Sequence, residues 1–185
     1  TQDRGRAFSI DANDVDETGF VVTAGAIMGE FQRNKVIPEI DAYRLSALST
    51  LALEDNKKYS YTPAKDTIIQ EIKLGIKKIR QQGCNDPLVI HITYDALMEV
   101  ELAMFGKISS VEFSKGGVNT KVPAIDGCPL IETPENRMYS AIQLYDGKTH
   151  GQTQGGYAKA TKGIQMNFII MAKGTPLAIT KQDNM

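Results

Sequence analysis

Residues 62–92, TPAKDTIIQEIKLGIKKIRQQGCNDPLVIHI, hold the clearest secondary-structure pattern of the chain. Isoleucines recur there at helical spacing and predict one apolar helix face. That face consists of Ile68, Ile69, Ile72, Ile76 and Ile79. Thr62 is the expected N-cap of this helix, Pro63 its first residue and Gly83 its end. The apolar run at residues 88–92 then predicts a buried strand.

A longer helical pattern precedes this stretch, from residue 21 to about residue 53. Pro38 interrupts it, and because proline disfavours helical geometry in the preceding residue, we expect a break or kink near residues 36–37. A second helix is then expected to start at Pro38. Its predicted buried face consists of Ile40, Leu45, Leu48, Leu51 and Ala52.

The remainder of the chain predicts one short helix, at residues 94–105, and then mainly strands and loops. Asp126-Gly127 is a dipeptide that type I′ turns prefer, so it predicts a hairpin. Pro123 and Pro129 flank the turn, and since proline cannot donate to a ladder, we expect edge strands or incomplete pairing. Residues 137–146 and 164–180 supply further candidate strands.

The composition is that of an ordinary globular protein, with 42% hydrophobic and 23% charged residues in a chain of 185. A formal net charge of -1 gives no general attraction to nucleic acid or to anionic membranes. Two cysteines, Cys84 and Cys128, are too few for a disulfide framework or a zinc site. They fit a reduced intracellular setting, and a single disulfide between them stays the alternative. The chain begins with Thr-Gln-Asp-Arg-Gly-Arg, without an initiator Met, and stops at Gln-Asp-Asn-Met just after a strand-like run, so we expect it to be a piece of a longer protein.

Gly147-Lys148-Thr149 matches the end of the phosphate-binding pattern GxxxxGK[ST]. The first glycine of that pattern should occupy position 142, which is Ile142, and the residues after Thr149 are too rich in glycine to open a helix. We therefore predict a loop over residues 146–163, which contain five glycines and three threonines. Loops of this length are usually functional or disordered. A nucleotide-binding enzyme remains an alternative.

Other chemical motifs are weak. Asp14, Asp16, Thr18 and Gly19 imitate half of a calcium loop, but its twelfth position holds Gly25 instead of glutamate. His91 lies in a predicted strand and His150 in the glycine-rich loop, so neither supports a metal cluster or a catalytic triad. No basic group stands beside Cys84 to make it a thiolate. We expect no catalytic, cofactor-binding or metal-binding residues and favour a structural or binding protein over an enzyme.

Four phrases are more specific than any of these motifs. They are RGRAFSIDANDVDETGF, VIPEIDAYRLSAL, VNTKVPAIDGCPLIETPENRM and NFIIMAKGTPLAITKQD. Together they closely resemble major capsid proteins of tailed bacteriophages and prophages, which have the Hong Kong 97-type shell fold. The resemblance covers nearly the whole chain. It implies an α+β fold with a long spine helix, a peripheral helix-and-sheet domain and an axial domain.

The resemblance also implies a division of the chain. Residues 1–20 would end the extended loop, 21–110 would form mainly the peripheral domain, 111–165 mainly the axial domain, and 166–185 returning strands of the core. Family members normally carry an N-terminal arm before this point and continue beyond the last strand. Their Lys–Asn cross-link has no recognisable match here.

A capsid role implies self-assembly into pentamers and hexamers of an icosahedral shell that encloses double-stranded DNA without reading its sequence. Scaffolding protein and portal are the further partners implied, and the virion, with the host cytoplasm during assembly, is the implied location. The candidate subunit-contact residues are Arg4, Arg6, Asp14, Asp16, Glu17, His150, Gly155 and Gly156. The alternatives are a nanocompartment shell of the same fold, which needs a cargo-binding groove, and a monomeric adhesive or tail-associated module.

Overall fold

The computed structural model describes residues 4–5, 24–105, 108–115 and 118–174. The chain divides into two compact units, Thr1–Ile40 and Asp41–Met185. Helices and a mixed sheet together give an α+β structure, which confirms the predicted class.

The predicted break before Pro38 is replaced by a π-helical turn. Helix α1 spans Ala24–Phe31, the π-helical turn spans Gln32–Val36, and helix α2 spans Ile37–Glu54. The Ile37 N–H donates to the Gln32 carbonyl, five residues back, and Ile37 itself is helical although a proline follows it. The chain does not break there, because this wider turn keeps the backbone helical up to a residue that has no N–H to donate. The kink stays a prediction, and the second helix begins at Ile37, one residue before the predicted start.

Helix α2 buries a narrower face than the sequence predicted. Ala42, Leu45 and Ser49 are buried, whereas Leu51 is exposed. Ala42, Leu45 and Ser49 are spaced by three and four residues and share one side of the helix, and Leu51 lies away from that side. Leu45 was therefore predicted correctly and Leu51 wrongly, while Ile40, Leu48 and Ala52 are half-buried.

Helix α3 spans Ile68–Gln81, so the predicted cap at Thr62 was wrong. The N–H groups of Thr67 and Ile68 both donate to the Ala64 carbonyl, at 3.0 and 2.9 Å, which forms a separate turn ahead of the helix. The apolar face is confirmed, since Ile68, Ile72 and Ile76 are buried and Ile69 and Ile79 pack against the core. Gly83, with φ +87°, ends the helix as predicted.

A five-stranded mixed sheet forms the centre of the Asp41–Met185 unit. Its strands are β1 (Leu88–Ile92), β2 (Ser109–Lys115), β3 (Val118–Ile125), β4 (Cys128–Glu132) and β7 (Phe168–Ala172). They lie in the order β2-β3-β4-β1-β7. The β1–β4 pair is parallel and the other pairs are antiparallel.

Helices α3 and α4 (Tyr94–Ala103) pack on this sheet. The register places Ile90 of β1 between Leu130 of β4 and Ile170 of β7. The core between helices and strands consists of Ile68, Ile72, Ile76, Leu88, Ile90, Ile92, Ala96, Leu97, Val100, Ile125, Cys128, Leu130 and Ala172. The predicted strand at residues 88–92 and the short helix after it are both confirmed.

The Asp126-Gly127 hairpin is confirmed. Both residues have positive φ, 50° and 76°, as a type I′ turn requires. Strands β3 and β4 are interior strands, so the edge alternative was wrong. The prediction of incomplete pairing is confirmed, because β3 and β4 pair only at Ala124↔Pro129 and Ile125↔Cys128.

A small antiparallel ribbon follows the sheet. It pairs β5 (Ile142–Leu144) with β6 (Tyr157–Lys159), so the strand predicted over residues 137–146 is much shorter. An ion pair connects helix α2 to the segment just before this ribbon, with 3.0 Å between a guanidinium nitrogen of Arg137 and a carboxylate oxygen of Asp41. The Ser46 hydroxyl also donates to the Ser140 carbonyl at 3.3 Å.

Three of the segments into which the capsid resemblance divides the chain, 21–110, 111–165 and 166–185, each contribute a strand to the same sheet. Strand β1 lies in segment 21–110, β4 in 111–165 and β7 in 166–185, and β1 pairs with both of the others. The assignment of these segments to peripheral and axial domains stays a prediction. The strand predicted over residues 164–180 is β7, and its residues from 175 onward lie outside the described part of the chain.

Candidate subunit-contact surfaces

The glycine-rich segment opens with a turn closed by the Asp146 carboxylate. The Thr149 hydroxyl donates to Asp146 Oδ2 at 2.6 Å, and the Lys148 and Thr149 N–H groups donate to Oδ1 at 2.8 Å. These hydrogen bonds, led by that of the Thr149 hydroxyl, lower the pKa of Asp146 to about 2. The N–H groups that a phosphate-binding loop would offer its ligand are therefore donated to the chain's own carboxylate.

Further tight turns follow in the same segment. Gln152 N–H donates to the Thr149 carbonyl at 2.8 Å, and Gly155 N–H donates to the Gln152 carbonyl at 2.9 Å. The predicted loop over residues 146–163 was wrong at its end, since Tyr157–Lys159 form β6. That strand has only three residues and pairs with an equally short partner, so no periodic pattern marked it.

His150, Gly155 and Gly156 are brought together by these turns. His150 is exposed, and Gly155 and Gly156 are half-buried. The two glycines have φ of +66° and +86°, and the Gly156 carbonyl accepts from Tyr145 N–H at 2.9 Å. These positive φ values explain why glycine occupies both positions. The role of the two residues as subunit contacts stays a prediction.

The charged candidates near the N-terminus divide into two groups. Arg4 makes an ion pair with Glu39, with 2.5 Å between Nε and Oε1, inside the Thr1–Ile40 unit. Its charge thus has a partner in the same chain, and a contact with another subunit stays a prediction. Arg6, Asp14, Asp16 and Glu17 lie outside the described residues.

His91 and Cys128 lie in the sheet, and Cys84 lies in the loop before β1. His91 Nδ1 lies 3.1 Å from the Thr133 hydroxyl. Cys84 and Cys128 are free thiols, and burial raises the pKa of Cys128, which opposes thiolate formation. Within residues 24–105, 108–115 and 118–174, no three His, Cys, Asp or Glu side chains are grouped to hold a metal ion.

Helix α4 presents an exposed apolar row that the sequence reasoning missed. Ala96, Leu97 and Val100 are buried against the sheet. On the outer side, Tyr94, Met98 and Leu102 are exposed by 48%, 52% and 53%, and Phe105, just beyond the helix end, by 88%. We call Tyr94, Met98, Leu102 and Phe105 the α4 patch.

A signal for the α4 patch is present in the sequence. The phrase YDALMEVELAMF contains one apolar series at 96, 97 and 100 and another at 94, 98 and 102. Residues four apart stack on one helix face, so the second series predicts a second apolar face. A helix that is apolar on more than one side needs more than one partner.

The described residues contain no helix with the length and apolar character that crossing a membrane requires. Comparison of the chain with protein-family models, with curated proteins and with solved structures found no match. A functional assignment therefore depends on the residues themselves.

Proposed function

We propose that this chain is a structural subunit of an icosahedral shell, the major capsid protein of a tailed bacteriophage or prophage. The single observation that carries the proposal is the α4 patch. Four large apolar side chains stand exposed there on one short element, Tyr94–Phe105. Exposed apolar clusters on folded domains usually mark surfaces that bind another protein.

The sequence supplies the kind of assembly. The resemblance to tailed-phage capsid proteins covers nearly the whole chain, and the four phrases that carry it include the strand hairpin around Asp126-Gly127 and the first part of α2. In this proposal the helical residues 24–54 serve as the spine helix. The layer of α3, α4 and β1 belongs to the peripheral domain, and residues 122–138 belong to the axial domain.

The proposed partners are copies of the same chain, arranged as pentamers and hexamers, with scaffolding protein and portal as accessory partners. The formal net charge of -1 suits a shell that encloses double-stranded DNA without binding it tightly. The proposed location is the virion, and the host cytoplasm during assembly. The role is structural and involves no catalytic step.

The nucleotide-binding alternative receives little support from the described geometry. Lys148 and Thr149 belong to a turn capped by Asp146, and Gly147 has φ of +71°, which is not a helix-opening conformation. A carboxylate at the centre of that turn would repel a phosphate. Titration with ATP tests this point, because binding that Lys148→Ala abolishes would revive the alternative.

The direct test is electron microscopy of the full gene product, expressed with any scaffolding protein encoded beside it. Closed particles of uniform diameter are expected. Monomers or small oligomers at every salt and protein concentration would contradict the shell. Particles that contain a specific protein instead of DNA would favour the nanocompartment alternative.

A further inference from the structure

Opposite charges separate onto two neighbouring elements of the Asp41–Met185 unit. Residues 57–80 contain seven Lys or Arg residues and two Asp or Glu residues, a net of +5 in a chain whose total is -1. Residues 94–105 contain Asp95, Glu99 and Glu101 and no basic residue. The two stretches correspond to α3 with its preceding loop and to α4 with its final turn.

Carboxylates border the α4 patch. Asp95 and Glu101 are both exposed. Helical geometry places them on the two sides of the row formed by Tyr94, Met98 and Leu102. The outer face of α4 is therefore apolar along its middle and acidic along both margins.

The outer face of α3 has the complementary character. Leu74 is exposed, and Lys77 and Lys78, three and four residues later, lie beside it on the same face. Lys78 Nζ lies 3.7 Å from the centre of the Tyr59 ring, which adds a second exposed apolar group. We call Tyr59, Leu74, Lys77 and Lys78 the α3 surface.

We propose that the α4 patch of one copy docks against the α3 surface of a second copy. This inference rests on the proposed function, because it names the surfaces through which copies of the chain meet. Apolar side chains would meet at the centre, and carboxylates would face ammonium groups at the rim, an arrangement that sets orientation and register. Helix α4, about 15 Å long, fits within the length of α3, about 21 Å.

Charge decides between this contact and a contact of α4 with α4. If two copies met patch to patch, Asp95 and Glu101 of each copy would approach the same carboxylates of the other. Like charges brought together in an interface are unfavourable. The α3 surface removes this repulsion and replaces it with attraction.

The contact is heterologous, which has a consequence for assembly. Each copy keeps a free α3 surface when its α4 patch is occupied, and a free α4 patch when its α3 surface is occupied. Heterologous contacts continue from copy to copy until they close into a ring or extend as a filament. Closed rings are the units from which an icosahedral shell is built.

A mixing experiment tests the contact with the full chain. One variant carries Met98→Lys and Leu102→Lys, which disables the α4 patch, and the other carries Leu74→Gln and Lys77→Gln, which disables the α3 surface without giving the new lysines a carboxylate to pair with. All four positions are exposed, and circular dichroism checks that both variants keep the wild-type fold. Each variant alone is expected to associate at least about 30-fold more weakly than wild type.

An equimolar mixture of the two variants retains one intact α4 patch and one intact α3 surface. Analytical ultracentrifugation is expected to show heterodimers that do not grow further. A mixture that stays monomeric, or an α3 variant that associates like wild type, would overturn the proposal. The matched control is Leu51→Lys with Leu53→Lys, which makes the same changes at exposed positions of α2 and should leave the association intact.

A charge exchange tests the rim separately. Glu101→Lys or Lys77→Glu alone should weaken association, and the two together in every copy should restore it, because the ion pair is re-formed with reversed sign. No restoration would contradict the pairing. Should short duplex DNA bind the α3 surface while Lys77→Glu leaves self-association unchanged, the surface serves nucleic acid and the proposal fails.

The outcomes distinguish this contact from the shell. Closed particles that form equally well from both disabled variants would refute the contact and leave the shell standing. Oligomers that require both surfaces but never close would support the contact and refute the shell. A wild-type chain that stays monomeric throughout would refute both.

Discussion

Helices α3 and α4 pack on the same sheet but differ on their outer sides. The inner faces are alike, with Ile72 and Ile76 buried on α3 and Leu97 and Val100 on α4. The outer face of α3 is mostly charged, as expected of a helix in water. The outer face of α4 instead exposes Tyr94, Met98 and Leu102. The same sheet therefore carries one helix that exposes a single large apolar side chain, Leu74, among charged residues and one helix that exposes a row of them.

The difference separates two uses of apolar residues. Inner residues stabilise the fold and should affect the free energy of unfolding when truncated. Residues of the α4 patch should affect association and leave the unfolding of the isolated chain almost unchanged. Mutations on the two sides of each helix test this separation.

The largest effect is expected at the inner face of α3. Ile72 is fully buried in the core, so Ile72→Ala leaves a cavity and should lower the free energy of unfolding by about 3 kcal/mol. Urea unfolding followed by circular dichroism measures it. A loss below about 0.5 kcal/mol would mean that α3 does not pack on the sheet as described.

A smaller effect is expected within α4 itself. Val100 is fully buried, and Val100→Ala should cost about 2 kcal/mol. Leu102 is on the outer side, and Leu102→Ala should change the unfolding free energy by less than about 0.5 kcal/mol, although it removes a larger side chain. Equal losses at the two positions would remove the distinction between the inner and outer faces.

The start of α4 should contribute less than its core residues. The Thr93 hydroxyl accepts from Ala96 N–H at 3.4 Å and donates to the Asn167 carbonyl at 3.2 Å. Thr93→Ala should destabilise the chain by about 1 kcal/mol, and Thr93→Ser, which keeps the hydroxyl, should restore most of it. Equal losses in the two variants would assign the effect to packing of the methyl group.

The smallest effect on the fold is expected outside both helices, at the exposed Asp146 turn. The pKa of Asp146 is lowered to about 2 in the folded chain. The carboxylate therefore stabilises the turn fully at any pH above the pKa that Asp146 has in the unfolded chain. That unfolded value is about 3.9. The contribution is lost as the pH falls from there through the folded value.

An NMR titration of the Asp146 carboxyl group measures this pKa. Thr149→Val removes the hydroxyl donor and should raise the pKa toward the ordinary value. Val keeps the N–H groups of the turn, so a partial rise is expected. An unchanged pKa would show that the Thr149 hydroxyl does not donate to the carboxylate.

Much of the fold was predictable because its signals are local. The isoleucine spacing of α3, the apolar run of β1 and the Asp126-Gly127 turn each specify their structure within a few residues, and all three are confirmed. The exact start of α3 was not predictable, since Thr62-Pro63 is a good helix start by itself and the turn at Ala64 replaces it.

The remaining differences have causes that no local residue pattern marks. Proline pairing rules could not reveal that β3 and β4 lie inside the sheet, because the strand order depends on the β1–β4 crossover. The π-helical turn at Gln32–Val36 likewise arises from a backbone adjustment that no residue pattern marks. Of the candidate site, Arg4, His150 and the two glycines lie within the described residues. The two apolar series of α4 are present in the sequence, and burial was needed to show which series faces the sheet and which is exposed.

Sedimentation velocity over a concentration series tests whether the outer face of α4 is a contact surface between copies. Wild-type chain and the variant with Met98→Lys and Leu102→Lys are compared under identical conditions. Wild type is expected to associate as the concentration rises, while the variant, equally folded, is expected to remain monomeric. Identical sedimentation of the two proteins at every concentration would contradict a contact surface on α4.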